Sequence, residues 1–279
     1  MGTLYLVPTP IGNLGDITER ALEVLKSVDA IAAEDTRNTG QLLKLYGIEA
    51  ELIACHDHNE ESIAPNLIEK LKSGQNIALV SDAGTPLVSD PGYRIVAAVI
   101  EANLPITALP GANAVLPALQ LSGLPPHPFY FGGFLPTRDK AQHDVLASLV
   151  QLQATLVFYE APHRLAEMLA NAASVLGLGR RAAVVREISK KFETAKRGIL
   201  QNLKDFYAHE EARGEIVVVI EGAKGTEKWP EALVCEALAS ALTHGTAFRE
   251  AVIIISAQSG WPKSMVYDLA IKLKANDPT

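Results

Sequence analysis

Short apolar runs alternate with amphipathic stretches through the first 122 residues, the pattern expected when parallel strands are joined by helices. Strands are predicted at residues 4–7, 30–33, 52–55, 77–81 and 106–109. Helices fall between them, as at 18–27, where Leu22, Leu25 and Val28 recur at helical spacing. Several of these strands end in Pro, Gly or an acidic residue. In open parallel sheets ligands bind beyond the carboxyl ends of strands, so chemistry is to be sought at those endings.

The run Gly123-Leu124-Pro125-Pro126-His127-Pro128 excludes both helix and central strand and reads as an interdomain linker. Beyond it the pattern predicts a helix at 139–153, a strand at 155–159, a helix at 164–176, and strands at 182–185, 194–200 and 215–221. This second domain, 129–224, is expected to be α/β with a mixed or antiparallel sheet. From Trp229 the tail reads as three short helices, with turn signals at His244-Gly245-Thr246 and Ser259-Gly260-Trp261-Pro262. The expected architecture is therefore a parallel-sheet α/β domain at 1–122, a second α/β domain at 129–224, and a helix-turn-helix-like module at 229–279.

At 279 residues and 48% hydrophobic content the chain can bury a core in each of two domains. No apolar run approaches the roughly 20 residues of a membrane span. The N-terminus lacks the basic region and cleavage site of a signal peptide, so a cytoplasmic protein is expected. Cys55 and Cys235 stand alone, which argues against a disulfide framework or zinc site. The net charge of −7 is uneven: residues 1–122 carry 7 basic and 15 acidic side chains, against 18 and 17 in the remainder. Within the second half, Arg180, Arg181, Arg186, Lys190, Lys191, Lys196 and Arg197 face only Glu187 and Glu193. That stripe is either a charged edge strand or a polyanion-binding face.

The segment Ser81-Asp82-Ala83-Gly84-Thr85-Pro86-Leu87-Val88-Ser89-Asp90-Pro91-Gly92 leaves a buried strand and opens a helix near Tyr93. Its small residues allow close backbone approach to a nucleotide-like ligand. The first loop, Pro8 to Asp16, has neither GxGxxG spacing nor a Walker A lysine, which removes most support for dinucleotide and ATP sites. Leu109-Pro110-Gly111-Ala112-Asn113-Ala114 is a third loop at the same predicted sheet edge. His56-Asp57-His58 lacks a nearby third ligand, so no metal is expected there.

Together these segments resemble the tetrapyrrole (corrin/porphyrin) methylase superfamily. Val7 to Thr18, Ala33-Glu34-Asp35-Thr36-Arg37, Ser81 to Gly92, Tyr159-Glu160-Ala161-Pro162-His163-Arg164 and Arg186 to Glu193 further resemble its ribosomal RNA small-subunit methyltransferase I branch. Five motifs in order span almost the whole chain. The cofactor loop reads Ser81-Asp82-Ala83 where most of the superfamily has Gly-Asp-Pro. The resemblance implies a homodimer that binds S-adenosylmethionine and methylates a cytidine 2′-hydroxyl in the decoding region of 16S rRNA. It implies cofactor contacts at Pro10, Ser81, Asp82, Ala83, Gly84, Thr85, Ser89, Pro110, Gly111 and Ala112.

Attack of a ribose hydroxyl on a sulfonium methyl gains from alignment and from a nearby base. Asp35 is expected to deprotonate or orient the hydroxyl, with Glu34 beside it and Arg37 on phosphate; Glu34 or Asp35 could equally cap the next helix. Glu160, His163, Arg164, Arg186, Lys190 and Lys191 are expected to meet the RNA. Two other function classes compete: a tetrapyrrole methyltransferase on the same fold, and a non-catalytic RNA-binding or assembly module.

Overall fold

The protein is described from a computed structural model that covers residues 1–224 and 229–275. Residues 225–228 and the last part of the predicted helical module, 276–279, lie outside the described residues.

Five strands, β1 (Leu4–Leu6), β2 (Ala30–Ala33), β3 (Glu51–Ala54), β4 (Ile77–Val80) and β5 (Ile106–Ala108), pair wholly in parallel, in the order β3-β2-β4-β1-β5. The central strands β2 and β4 are buried at every position, as continuous apolar runs covered on both faces must be. Helices α1 (Glu19–Ser27) and α2 (Thr36–Leu45) close one core with Leu25, Ile31 and Leu43. Helices α3 (Glu60–Lys72) and α4 (Tyr93–Glu101) close the other with Leu67, Leu79 and Ile95. Thr18 caps α1, its hydroxyl accepting the Ala21 N–H at 3.1 Å.

The second sheet has the order β6-β7-β10-β8-β9. Its strands are β6 (Phe129–Phe134), β7 (Thr155–Glu160), β8 (Arg181–Arg186), β9 (Thr194–Ile199) and β10 (Ile216–Ile220). It is mixed: β6 runs parallel to β7, and the other pairs are antiparallel. Helices α6 (Asp139–Ser148), α7 (Leu165–Leu176) and α8 (Leu200–Tyr207) build a core with Phe158 and Val218 on one face. The other face is covered by α5 (Val115–Ser122), which precedes the proline-rich linker yet packs Val115, Ala118 and Leu119 on Val157, Val185 and Val217.

Strand β6 was not predicted, because its FYFGGF sequence follows the prolines directly and carries two glycines. Gly132 is required by packing: a Cβ there would stand 2.5 Å from the Phe158 ring. The linker is itself fixed to the sheet, with the Thr155 hydroxyl donating to the Pro125 carbonyl at 2.6 Å. The helix expected over 139–153 ends at Ser148, where Leu149 and Val150 close it with turn bonds to Leu146 and Ala147.

The two sheets and their helices, Met1–Val150 with Ala154–Glu221, form one compact unit; Gln151–Gln153 and the segment from Gly222 onward form another. In the latter, α9 (Glu231–Thr243), α10 (Phe248–Ser259) and α11 (Lys263–Ala275) enclose Val234, Leu238, Val252, Ile255 and Val266. The Trp261 indole N–H donates to the Trp229 carbonyl at 2.7 Å and closes this small core. Among the described residues no helix is long and apolar enough to cross a membrane.

Helix α4 starts without a capping side chain of its own. Glu60 supplies it from α3: its buried carboxylate accepts the N–H of Gly92 and, at 3.2 Å, that of Arg94. A carboxylate on the orphan N–H groups of a helix satisfies both hydrogen bonding and the helix dipole. Glu60→Ala is expected to lower stability by about 1–3 kcal/mol, read as a drop in the urea midpoint. An unchanged midpoint would mean that water replaces the carboxylate at no cost.

Candidate active site

Loops leaving the carboxyl ends of β1, β4 and β5 converge as sequence reasoning expects, and they are tied together by backbone. Thr9 and Gly84 exchange N–H···O bonds at 2.9 and 3.0 Å, and the Thr9 hydroxyl donates to the Ser81 carbonyl. The Thr85 hydroxyl donates to the Ala112 carbonyl at 3.0 Å. Gly111 lies so close to Pro8 that a Cβ would sit 2.5 Å from the proline ring. Leu87 and Ser89 both adopt left-handed backbone, with φ of 72° and 66°. Such residues cost about 1–2 kcal/mol each and persist where surrounding structure holds them. Leu87 is held by packing beside Gly92, whose own φ of 122° lets the chain pass within contact of Leu79.

Where this loop meets the second sheet there is a cavity of ≈ 320 Å³. Ala83, Gly84, Thr85, Val88, Ser89 and Asp90 wall it from β4's loop, with Ile11, Asn113 and Ala114 from the flanking loops. Phe134, Tyr159, Glu160 and Pro162 enclose it from β6 and β7, and Ile188, Gly214, Glu215, Ile216 and Val217 from the far side. Mostly apolar walls with a few convergent polar groups are the usual make-up of a small-molecule site of this size.

The predicted cofactor residues divide into two groups. Ala83, Gly84, Thr85 and Ser89 line the cavity. Pro10, Ser81, Asp82, Pro110, Gly111 and Ala112 are not among the residues that line it. The Ser81 hydroxyl is buried against the Gly84 carbonyl, and Asp82 accepts the Asp35 N–H at 3.1 Å and the Asn38 amide at 2.8 Å. Asp82 thus fixes α2 to the loop.

Asp35 takes the capping role that the sequence left open. Its carboxylate accepts the Arg37 N–H at 2.8 Å and pairs with the Arg37 guanidinium at 2.7 Å. Those bonds hold it at a pKa of about 2, which makes it a weak proton acceptor, and they occupy Arg37 as well. Glu34 moves the opposite way: burial, then the Asp82 charge, raises its pKa.

Glu160 is fully buried on the cavity wall. One oxygen accepts the Ala161 N–H at 2.7 Å and lies 3.4 Å from the Arg164 guanidinium; Oε2 has no hydrogen-bond partner among the described residues. Burial raises its pKa. Arg164 was expected to face the cleft but turns inward, donating to the carbonyls of Leu135 and Pro136 at 2.7 and 3.1 Å. His163 is exposed.

The basic stripe also makes bonds within the fold, although Arg181, Lys191 and Arg197 stay exposed. The Arg186 guanidinium donates twice to the Arg213 carbonyl, and Arg180 donates to Val150. Arg181 donates to Gly123 and Arg197 to Leu121. Lys190 pairs with Glu187 at 3.1 Å and Glu215 at 3.2 Å, and Lys196 sits 3.5 Å over the Phe206 ring. Lys191 is exposed.

Sequence does not single out Asp90 or Tyr159, although they stand within the segments Ser81–Gly92 and Tyr159–Arg164 beside the more conspicuous Asp82 and Glu160. Asp90 is half-buried, and burial together with the charges of Glu34, Asp82 and Asp57 pushes its pKa up to about 6, against a bond from Ser81. The Tyr159 phenol is raised to about 12 by burial and by Asp90, and its ring meets Phe131 and Phe134 edge-on. Burial and nearby carboxylates likewise push the Cys55 thiol to about 12. His56 and His58 pack ring against ring, and no group of three metal-ligating side chains is found among the described residues.

The model for Tetrapyrrole (Corrin/Porphyrin) Methylases matches residues 3–204. The chain belongs to this methylase family. Ribosomal RNA small subunit methyltransferase I of Bacillus subtilis (strain 168) is 47% identical over 274 residues, 96% of this chain and 94% of its own. The protein of that name from Synechocystis is 43% identical over 278 residues, 99% and 100% of the two chains. The methylase fold recurs in diphthine synthase, with TM-score 0.62 at 17% identity over 79% of this chain and 90% of that one. It recurs in Thermus thermophilus uroporphyrin-III C-methyl transferase complexed with S-adenyl homocysteine, with TM-score 0.54 at 18% identity over 79% and 97%.

In this methylase the raised Asp90 pKa has a thermodynamic sign. A carboxyl whose folded pKa exceeds the unfolded value of 3.8 contributes stability that is complete below pH 3.8 and lost as pH rises through about 6. Asp90→Asn is therefore expected to match the wild-type melting temperature near pH 3.5 and to exceed it above about pH 6. The gain is on the order of 1 kcal/mol after allowance for solvent screening. Parallel thermal scans across that range test it; equal midpoints at pH 7 would show that Asp90 is not strained by its surroundings.

Proposed function

We propose that this methylase transfers the methyl group of S-adenosylmethionine to the 2′-hydroxyl of a cytidine in the decoding region of 16S rRNA, acting in the cytoplasm as a homodimer. The observation that supports it most directly is the cavity, walled by the carboxyl-end loops of the parallel sheet on one side and by the second sheet on the other. The relatives described above carry ribosomal RNA names, which favours RNA over a tetrapyrrole acceptor.

The residues present suit the cofactor. Ala83 and Gly84 offer backbone without bulk, Thr85 and Ser89 offer hydroxyls, and Ile11, Val88, Ile188 and Val217 exclude water. The unpartnered Glu160 Oε2 complements a hydrogen-bond donor, because a buried acceptor left unpaired is costly. When bound, S-adenosylmethionine supplies a methyl activated by its sulfonium. The chain's own task is then to align the ribose hydroxyl and receive its proton. Asp90 suits that task, since a general base acts best with a pKa near the working pH. Asp35 supports the site instead as the cap of α2. For the dimer, the edge strand β6 exposes Phe129, Tyr130 and Phe134.

Labelled S-adenosylmethionine incubated with small ribosomal subunits from cells lacking the enzyme should leave label on one cytidine ribose, located by nuclease digestion and mass spectrometry. Label on a base, or on no RNA, would sink the reading. Asp90→Asn is expected to lower kcat by roughly 100-fold or more with cofactor affinity retained, whereas Asp35→Asn should keep most turnover. The reverse ranking would return the proton to Asp35.

A further inference from the structure

The connection between β8 and β9, residues 187–193, is a shaped projection beside the cavity. Register puts Arg186 opposite Ile216, and Ile216 opposite Glu160, so the connection leaves the sheet at the end where Ile216 and Glu160 line the cavity. Ile188 is itself a cavity wall. Glu187 and Ser189 adopt left-handed backbone, with φ of 54° and 67°. Bonds fix them: Ser189 N–H to Glu193 at 2.8 Å, Ser189 hydroxyl to Asp16, and Lys190 N–H to the Glu187 carbonyl at 2.9 Å. The Lys190 stem lies on Gly12, where an added Cβ would come within 2.3 Å of it. The connection is thus clamped to the first loop of the chain.

At its outer side stands Phe192, 69% exposed, with the exposed Lys191 ammonium 5.6 Å from its ring centroid. A large ring held in water by so much fixed structure gains nothing for the fold. Lys190 is paired with Glu187 and Glu215 and Arg186 is held on the Arg213 carbonyl, so among the described residues this surface offers a π-face with the exposed Lys191 ammonium beside it. Flat apolar rings with a cation alongside fit unstacked nucleobases, which bind by stacking irrespective of sequence.

We propose that Phe192, assisted by Lys191, is a stacking platform that holds a single-stranded nucleobase next to the nucleotide being modified. The inference rests on the reading that the acceptor is RNA. It makes Phe192 a positioning residue whose loss weakens acceptor capture and leaves the reacting groups in place.

The test uses the full chain. Binding of a short single-stranded oligoribonucleotide containing 2-aminopurine, followed by quenching, should weaken roughly five- to a hundredfold in Phe192→Ala. Phe192→Trp and Phe192→Tyr should restore it, and Phe192→Leu should not. With small subunits as methyl acceptor, Phe192→Ala should raise KM by a similar factor at unchanged kcat and unchanged thermal midpoint. Equal quenching by wild type and Phe192→Ala overturns the proposal, and so does full rescue by leucine, which would assign a merely apolar contact. Sedimentation that shows Phe192→Ala shifting the oligomeric state overturns it in favour of a contact between copies. Retained, Phe192-dependent quenching without methyl transfer by the wild type would instead sink the RNA-methylation reading and spare this one.

Discussion

The Glu60 carboxylate, buried between α3 and α4 and committed to the N–H groups of Gly92 and Arg94, sets where the segment from Ser81 to Gly92 must end. With β4 fixing one end and this cap the other, the intervening residues have little freedom. Within that segment Leu87 and Ser89 are left-handed, and Asp90 is half-buried, its carboxyl raised by burial and by the charges of Glu34, Asp82 and Asp57.

The parallel half of the fold was legible because its signals are local. Thr18 before an amphipathic run marks a helix start, and all-apolar Ala30–Ala33 and Ile77–Val80 mark central strands. Strand β6 was hidden because the glycines that let it pack on Phe158 look, one at a time, like turn residues. The role of α5 was hidden for a related reason: what it packs against is chosen by contacts with β8 and β10, far along the chain.

At the site, residue type revealed the neighbourhood and not the hydrogen-bond partners. Asp35, Asp82 and Arg164 are the residues a chemist selects from sequence, and each is spent on backbone or on a neighbouring side chain. Asp90 is no more conspicuous in sequence than Asp82. Its distinction is environmental, arising from burial and from three acidic neighbours on three different segments. Such a property exists only after folding.

The arginines of β8 and β9 carry a consequence for how the protein meets a polyanion. Guanidinium groups seated on the carbonyls of Gly123, Leu121 and Arg213 tie the sheet edge to its neighbouring loops. A carbonyl carries no net charge, so each of these arginines keeps its positive charge at the surface while its direction is fixed. In a chain whose overall charge is −7, the cations of this edge are held in place by backbone and not by carboxylates alone.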